Sequence, residues 1–155
     1  FDSNVVEDAR AGVWPLLLEI SREYMPFGSG AGSFVEVYKI YEPLEHLRPA
    51  YFNHAHNDWL EVWMTLGLAG AILLAVAFIG FVIAAHSLIR KRSKEDQSVR
   101  LGRVGMIVIA IMGLASLTDY PLRVPSIACL FAIACVWMRA GLSPSLETAG
   151  KRPTD

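Results

Sequence analysis

The chain has 155 residues, 54% of them hydrophobic, and its 14 Lys and Arg nearly balance its 15 Asp and Glu, for a formal net charge of −1. A mean hydropathy of +0.39 is too apolar for an ordinary soluble domain, and this charge balance gives no reason to expect a nucleic-acid partner, so the composition points to a membrane protein. The charge is divided unevenly: residues 1–61 hold ten acidic and four basic side chains, and residues 62–155 hold five and ten.

Phe1-Asp2-Ser3-Asn4 contains no initiator Met and no basic region leading into an apolar one, so no signal peptide is expected and the chain reads as a fragment whose start is missing. Asn4 and Glu7 stand at capping-box spacing, and Val6, Arg10 and Trp14 follow at helical spacing. Pro15 is expected to kink or restart this helix, which then continues through Leu16, Leu17, Leu18, Ile20 and Tyr24 until Pro26. Glu19, Ser21, Arg22 and Glu23 supply its wet side.

Pro26-Phe27-Gly28-Ser29-Gly30-Ala31-Gly32-Ser33-Phe34 comes next. Ser33 and Glu36 form a second capping-box pair, which predicts a glycine loop feeding a helix N-terminus. Gly28, Gly30, Gly32 and Ser33 could there bring backbone N–H groups up to a phosphate; the plainer reading is a tight turn. No strand precedes the loop, which excludes a dinucleotide fold. Val35 to Tyr41 continues as a helix, its aromatic residues read as packing, and Leu44 to Tyr51 is a connection.

His54-Ala55-His56-Asn57-Asp58-Trp59-Leu60-Glu61 gathers two imidazoles, an amide and two carboxylates immediately before Val62 to Ala85, a run of 24 residues without charge. Such a run suffices for a hydrocarbon core of about 30 Å. Asp58 and Glu61 form a third capping-box pair with Asn57 or Asp58 as cap, which puts His56 just outside the bilayer, where an imidazole can accept a proton near neutral pH. A metal held by His54-x-His56 and a hydrogen-bonded structural pair are the alternatives. Against the metal, no Cys is near and the carboxylates are needed at the helix start.

Three transmembrane helices are expected at about 58–89, 101–118 and 125–139. Gly67, Gly70 and Gly80 suit close helix packing in the first. Arg90-Lys91-Arg92, Lys94, Arg100 and Arg103 lie between the first two helices, and Arg139, Lys151 and Arg152 close the chain, so the positive-inside rule assigns both groups to the cytoplasm. Residues 1–57 then form an extracytoplasmic helical loop region. Asp119-Tyr120-Pro121-Leu122-Arg123 turns on the same side, where Asp119 either faces the His56 site or pairs with Arg123. Cys129 and Cys135 lie in an apolar run on different helix faces and are read as free thiols. Residues 143–155 are expected to be a disordered cytoplasmic tail. The fold class is therefore all-α, a polytopic membrane fragment.

His56-Asn57, nine residues, then Gly67-Leu68-Ala69-Gly70 resembles the His-Asn-x9-Gly-x-x-Gly signature of the O-antigen ligase and polymerase superfamily. Arg10-x3-Trp14, the Pro26-to-Phe34 glycine stretch and Asp119-Tyr120-Pro121-Leu122 fall in the order that family shows, so the resemblance covers roughly residues 7 to 140. It implies the last three helices of a multi-pass glycosyltransferase of the bacterial inner membrane, inverting and independent of metal or other cofactor. Such an enzyme moves a polyprenyl-diphosphate-linked glycan to a hydroxyl of lipid A core, growing polysaccharide or protein on the periplasmic face. Carried over by residue, Arg10 resembles the arginine that holds the diphosphate, and His56 the histidine associated with catalysis. Asn57 is then expected to orient the imidazole or the acceptor, with Gly28, Gly30, Gly32 and Ser33 near the diphosphate and His54 and Asp119 in support. Membrane lipids and the protein's own missing helices are the further partners, and the fragment alone is expected not to turn over. A transporter or structural module of polysaccharide export, needing no proton acceptor at His56, is the alternative.

Overall fold

The computed structural model describes residues 3–43, 54–91 and 96–143, with side chains from Val13 onward. The connection from Leu44 to Tyr51 and the tail beyond Ser143 lie outside the described residues, as does the side chain of Arg10. The described residues are all-α: α1 Ser3–Glu23, α2 Phe34–Tyr41, α3 Asp58–Arg90, α4 Gln97–Ala115, a 3₁₀ turn Pro121–Arg123, and α5 Pro125–Leu142. Helices α3, α4 and α5 are each long and apolar enough to cross a membrane. The chain forms two units, residues 1–77 with 114–121, and residues 78–113 with 122–155.

In the first unit, α1 continues through Pro15 without a restart. Proline removes a single hydrogen bond, and packing on both sides of it outweighs that loss. Val13, Leu17 and Ile20, at i, i+4 and i+7, make the buried stripe of α1. They pack with Phe34, Val37 and Tyr38 of α2, and with Ala55 and Met64. Ser21, wholly buried beside this stripe, donates to Leu17 O at 2.6 Å. It belongs to the core rather than to the wet side on which the pattern placed it.

One contact within α2 and one between α1 and α2 complete this region. Phe34 and Tyr38 stack with ring centroids 5.8 Å apart. The Tyr41 hydroxyl donates to the Glu23 carboxylate. That hydrogen bond is the first cause holding the Tyr41 phenol protonated beyond its usual range. Burial does the same for Tyr38, with the negative charge of Glu42 adding to it.

The main departure from the expected fold is at Gly67, which has φ 57 and ψ −138 inside α3. An unbroken helix would join Leu68 N–H to Met64 O. Here Leu68 N–H donates instead to Pro26 O at 2.9 Å, and the carbonyls of Met64 and Thr65 receive Ser29 N–H at 3.0 Å and Gly30 N–H at 2.8 Å. The glycine loop is thus clasped into the helix break, and each replaces bonds the other lacks. The approach leaves no room for side chains: a Cβ on Gly67 would lie 2.4 Å from Pro26 O, and one on Gly28 would lie 2.5 Å from both Gly67 N and Thr65 O. Gly67 is therefore a break held by a loop, not the helix-packing glycine that its spacing suggested.

In the second unit, the later part of α3 packs with α4 and α5. Gly102 and Gly141 approach so closely that a Cβ on either would lie 2.9 Å from the other's Cα. Two cations close the helix ends. Lys91 Nζ donates to Gly141 O at 2.6 Å and Ser143 O at 3.0 Å, and Arg103 donates to Lys91 O at 2.7 Å and Leu88 O at 3.3 Å. Both sit at helix C-termini, where positive charge meets unpaired carbonyls. Pro125 starts α5 as its first helical residue.

Candidate functional site

The site is built where α3 begins. Asn57 caps the helix, its Oδ1 accepting Leu60 N–H at 3.0 Å. Asp58, the other candidate cap, has a different task. Its N–H donates to Ser116 O at 2.9 Å, and its carboxylate accepts the Ser116 hydroxyl at 3.2 Å. The end of α4 and residues 116–121 are thereby fastened to the start of α3. Glu61 is not a cap partner either: its side chain, 4% exposed, turns back to accept Ala55 N–H at 3.0 Å, with His54 Nδ1 at 3.4 Å.

Ala55 is also held from the other side, its carbonyl accepting the Trp14 indole N–H at 3.0 Å. Glu61 and α1 therefore grip the peptide groups on either side of Ala55. His56 follows at once with φ 50, a left-handed conformation that a non-glycine residue adopts only where its surroundings impose it. The two grips and the Asn57 cap are that imposition. They direct the His56 ring toward the 116–121 segment, where Nδ1 stands 3.4 Å from Asp119 Oδ1.

Tyr120 joins the two histidines. Its ring centroid is 4.9 Å from that of His54, tilted, and 4.9 Å from that of His56, edge-on. Asp119 Oδ1 also accepts Tyr120 N–H at 3.0 Å, which turns the carboxylate back toward the site. The sequence left Asp119 between His56 and Arg123; the geometry places it beside His56. Of the named site residues, His54, His56, Asn57 and Asp119 are brought together. Arg10 lies in α1 one turn before Trp14, the residue that reaches Ala55.

Of the amides expected to face a phosphate, those of Gly28, Gly30 and Ser33 make hydrogen bonds within the protein. Gly28 N–H donates to Tyr24 O at 2.8 Å, Ser29 and Gly30 donate to α3, and Ser33 N–H donates to Gly30 O at 3.2 Å. Those amides are engaged within the protein. Ser33 makes no side-chain cap for α2; its hydroxyl donates to Gly30 O at 2.7 Å and lies 2.7 Å from the Ser29 hydroxyl. The α3 break takes the Ser29 and Gly30 N–H groups.

Among the described residues, no group of three or more His, Cys, Asp or Glu side chains is arranged to hold a metal ion. The chemistry available is that of an imidazole beside a carboxylate at the head of a helix, suited to moving a proton to or from a hydroxyl. Tyr120 is the residue that sequence reasoning missed, and Glu61, read there as a cap partner, instead holds Ala55. Glu61 carried a signal, a carboxylate one turn into a helix that already had a cap; Tyr120 carried none.

Residues 3–75 match the family model described as O-Antigen ligase. The match spans α1, the glycine loop, α2 and α3 past the Gly67 break, the same segment that carries Arg10, His56 and Asn57. No curated protein and no solved structure matches the chain.

Proposed function

We propose that this chain, with an O-antigen ligase match and three helices able to span a membrane, is part of a glycosyltransferase of the bacterial inner membrane. It transfers a polyprenyl-diphosphate-linked glycan to an acceptor hydroxyl on the periplasmic face. The acceptor belongs to lipid A core, a growing polysaccharide or a protein. The family match and the membrane helices support lipid-linked glycan chemistry in general. The sidedness proposed here follows the charge division of the sequence, and the acceptor hydroxyl follows the chemistry of the site.

The observation that carries the reading is His56, held in a left-handed conformation at the head of α3 with Nδ1 3.4 Å from Asp119. Nε2, the ring nitrogen away from Asp119, is taken as the accepting one. The acceptor oxygen attacks the anomeric carbon as its proton passes to His56. The bond from that carbon to the diphosphate oxygen breaks with its electron pair, releasing polyprenyl diphosphate. One displacement inverts the anomeric centre, and the diphosphate leaves without help from a cofactor. Arg10 supplies the positive charge for it, since a guanidinium meets two phosphate oxygens at once. Asn57 acts through its cap, fixing the helix start from which His56 projects. The glycine loop braces that helix through its bonds to Met64, Thr65 and Leu68.

Glycan transfer by the full-length protein tests this. His56→Ala is expected to lower transfer by about 10²- to 10⁴-fold, the range for loss of a general base, and His56→Gln not to restore it. Full activity in His56→Gln would show that the proton leaves elsewhere. Unchanged function in both variants would favour a transport or structural role. Equal loss at His54 and His56, with rescue of a chelator-treated preparation by a divalent metal, would favour a metal site.

A further inference from the structure

We propose that the Pro26–Gly30 loop is seated at the lipid boundary, with the Phe27 ring among the acyl chains as an anchor for the α1–α2 region. The loop's depth is set by its bonds. Pro26 O, Ser29 N–H and Gly30 N–H are joined to α3 at Leu68, Met64 and Thr65, all within the charge-free run of residues 62–85. Trp59 and Trp63 stand on the turns just before, and tryptophan is the side chain that marks the membrane interface. The clasp therefore lies about one turn deeper than the aromatic level, at the edge of the hydrocarbon.

Two further observations agree with that depth. Irregular backbone is tolerated in a membrane only where its polar groups are satisfied by protein, and this loop meets that demand by exchanging bonds with α3. Met64 beneath it is fully buried, yet Phe27 is 88% exposed. Next to Pro26, Leu68 is 51% exposed and begins an apolar surface that continues through Ile72 and Leu73 on α3. A surface that continues a membrane-spanning one at the same depth is covered by lipid.

The test uses the full-length protein in phosphatidylcholine and phosphatidylglycerol vesicles, with Cys129→Ser and Cys135→Ser. A fluorophore is placed by Phe27→Cys or, for comparison, by Lys39→Cys on the exposed side of α2. At position 27 the fluorescence should be lost in vesicles of lipid brominated high on the acyl chain and persist in aqueous iodide; at position 39 the reverse is expected. Iodide quenching at both positions would overturn the proposal. Should the cysteine variant fail to insert, a photoreactive benzoylphenylalanine in place of Phe27 in the otherwise unaltered chain should cross-link to lipid on illumination. Cross-links only to protein, or none, would also overturn it, showing another helix, a second copy or water against the ring.

Discussion

His56 owes its position to residues that do no chemistry. The peptide groups around Ala55 are held by Glu61 on one side and Trp14 on the other, and only then does the backbone turn left-handed. Glu61→Ala should release Ala55 N–H and leave a cavity in a buried place, at a cost of about 1–3 kcal/mol. Transfer should fall further than protein level, and Glu61→Gln, which can still accept one hydrogen bond, should recover part of it; equal activity in both variants would remove Glu61 from the account. A second comparison isolates the diphosphate contact. Arg10→Lys should be poorly tolerated in a transfer assay because an ammonium lacks the planar two-point contact, whereas Arg22→Lys on the exposed face of α1 should be nearly silent. At this scale the sequence was legible where residue type and local spacing carry the meaning, as for His56 and the Asn57 cap. It was not legible for Tyr120, whose meeting with both histidines depends on Ser116 binding Asp58. Nor did it show that His54 is held between Glu61 and Tyr120.

Among the elements, α3 was legible as an apolar run and misread as a continuous rod. A helix pattern records which faces are apolar; it does not record a backbone turned at one glycine to receive a loop. The Ser33 cap was misread in the same way, because the Ser33 hydroxyl bonds within the loop, to Gly30 O, and not to the start of α2. Gly67→Ala should therefore be severe. It adds the strain of a backbone conformation open essentially to glycine, about 1–3 kcal/mol, to a clash with the main chain of residues 26–28. Gly80→Ala, in the same helix with nothing within 4 Å of the added Cβ, should be neutral or slightly stabilising by helix propensity. Folded protein recovered after mild detergent extraction should rank the two. If they come out alike, the clasp contributes nothing to stability.

For the whole molecule, composition and charge gave the class, and the described structure supports it with three helices of spanning length. Sidedness follows from charge alone: we expect Ser98, at the start of α4, to be reached by a thiol reagent after Ser98→Cys only from the cytoplasmic side. Labelling from the periplasmic side of intact cells would invert the topology and move His56 to the cytoplasm. Lys91 and Arg103 supply a structural reason beyond the electrostatic one. Both are bound to helix-end carbonyls, so Lys91→Met or Arg103→Met should destabilise the later helices as well as weaken the topological signal.

The clasp at Gly67 also turns a sequence interval into a length standard. The start of α3 is pinned by Asn57 and by Ser116 on Asp58, and the break is pinned by the loop at Pro26 to Gly30. The nine residues between Asn57 and Gly67 thus fix two things together, a separation of about 15 Å and a rotational phase that advances about 100° per residue. One alanine inserted between Leu60 and Leu66 would keep every side chain of the site and every glycine of the loop. It would nonetheless aim one set away from its partners, since the two ends could no longer be in phase. Such an insertion should be as damaging as His56→Ala, and deletion of a neighbouring residue from the same interval should restore function by resetting the phase.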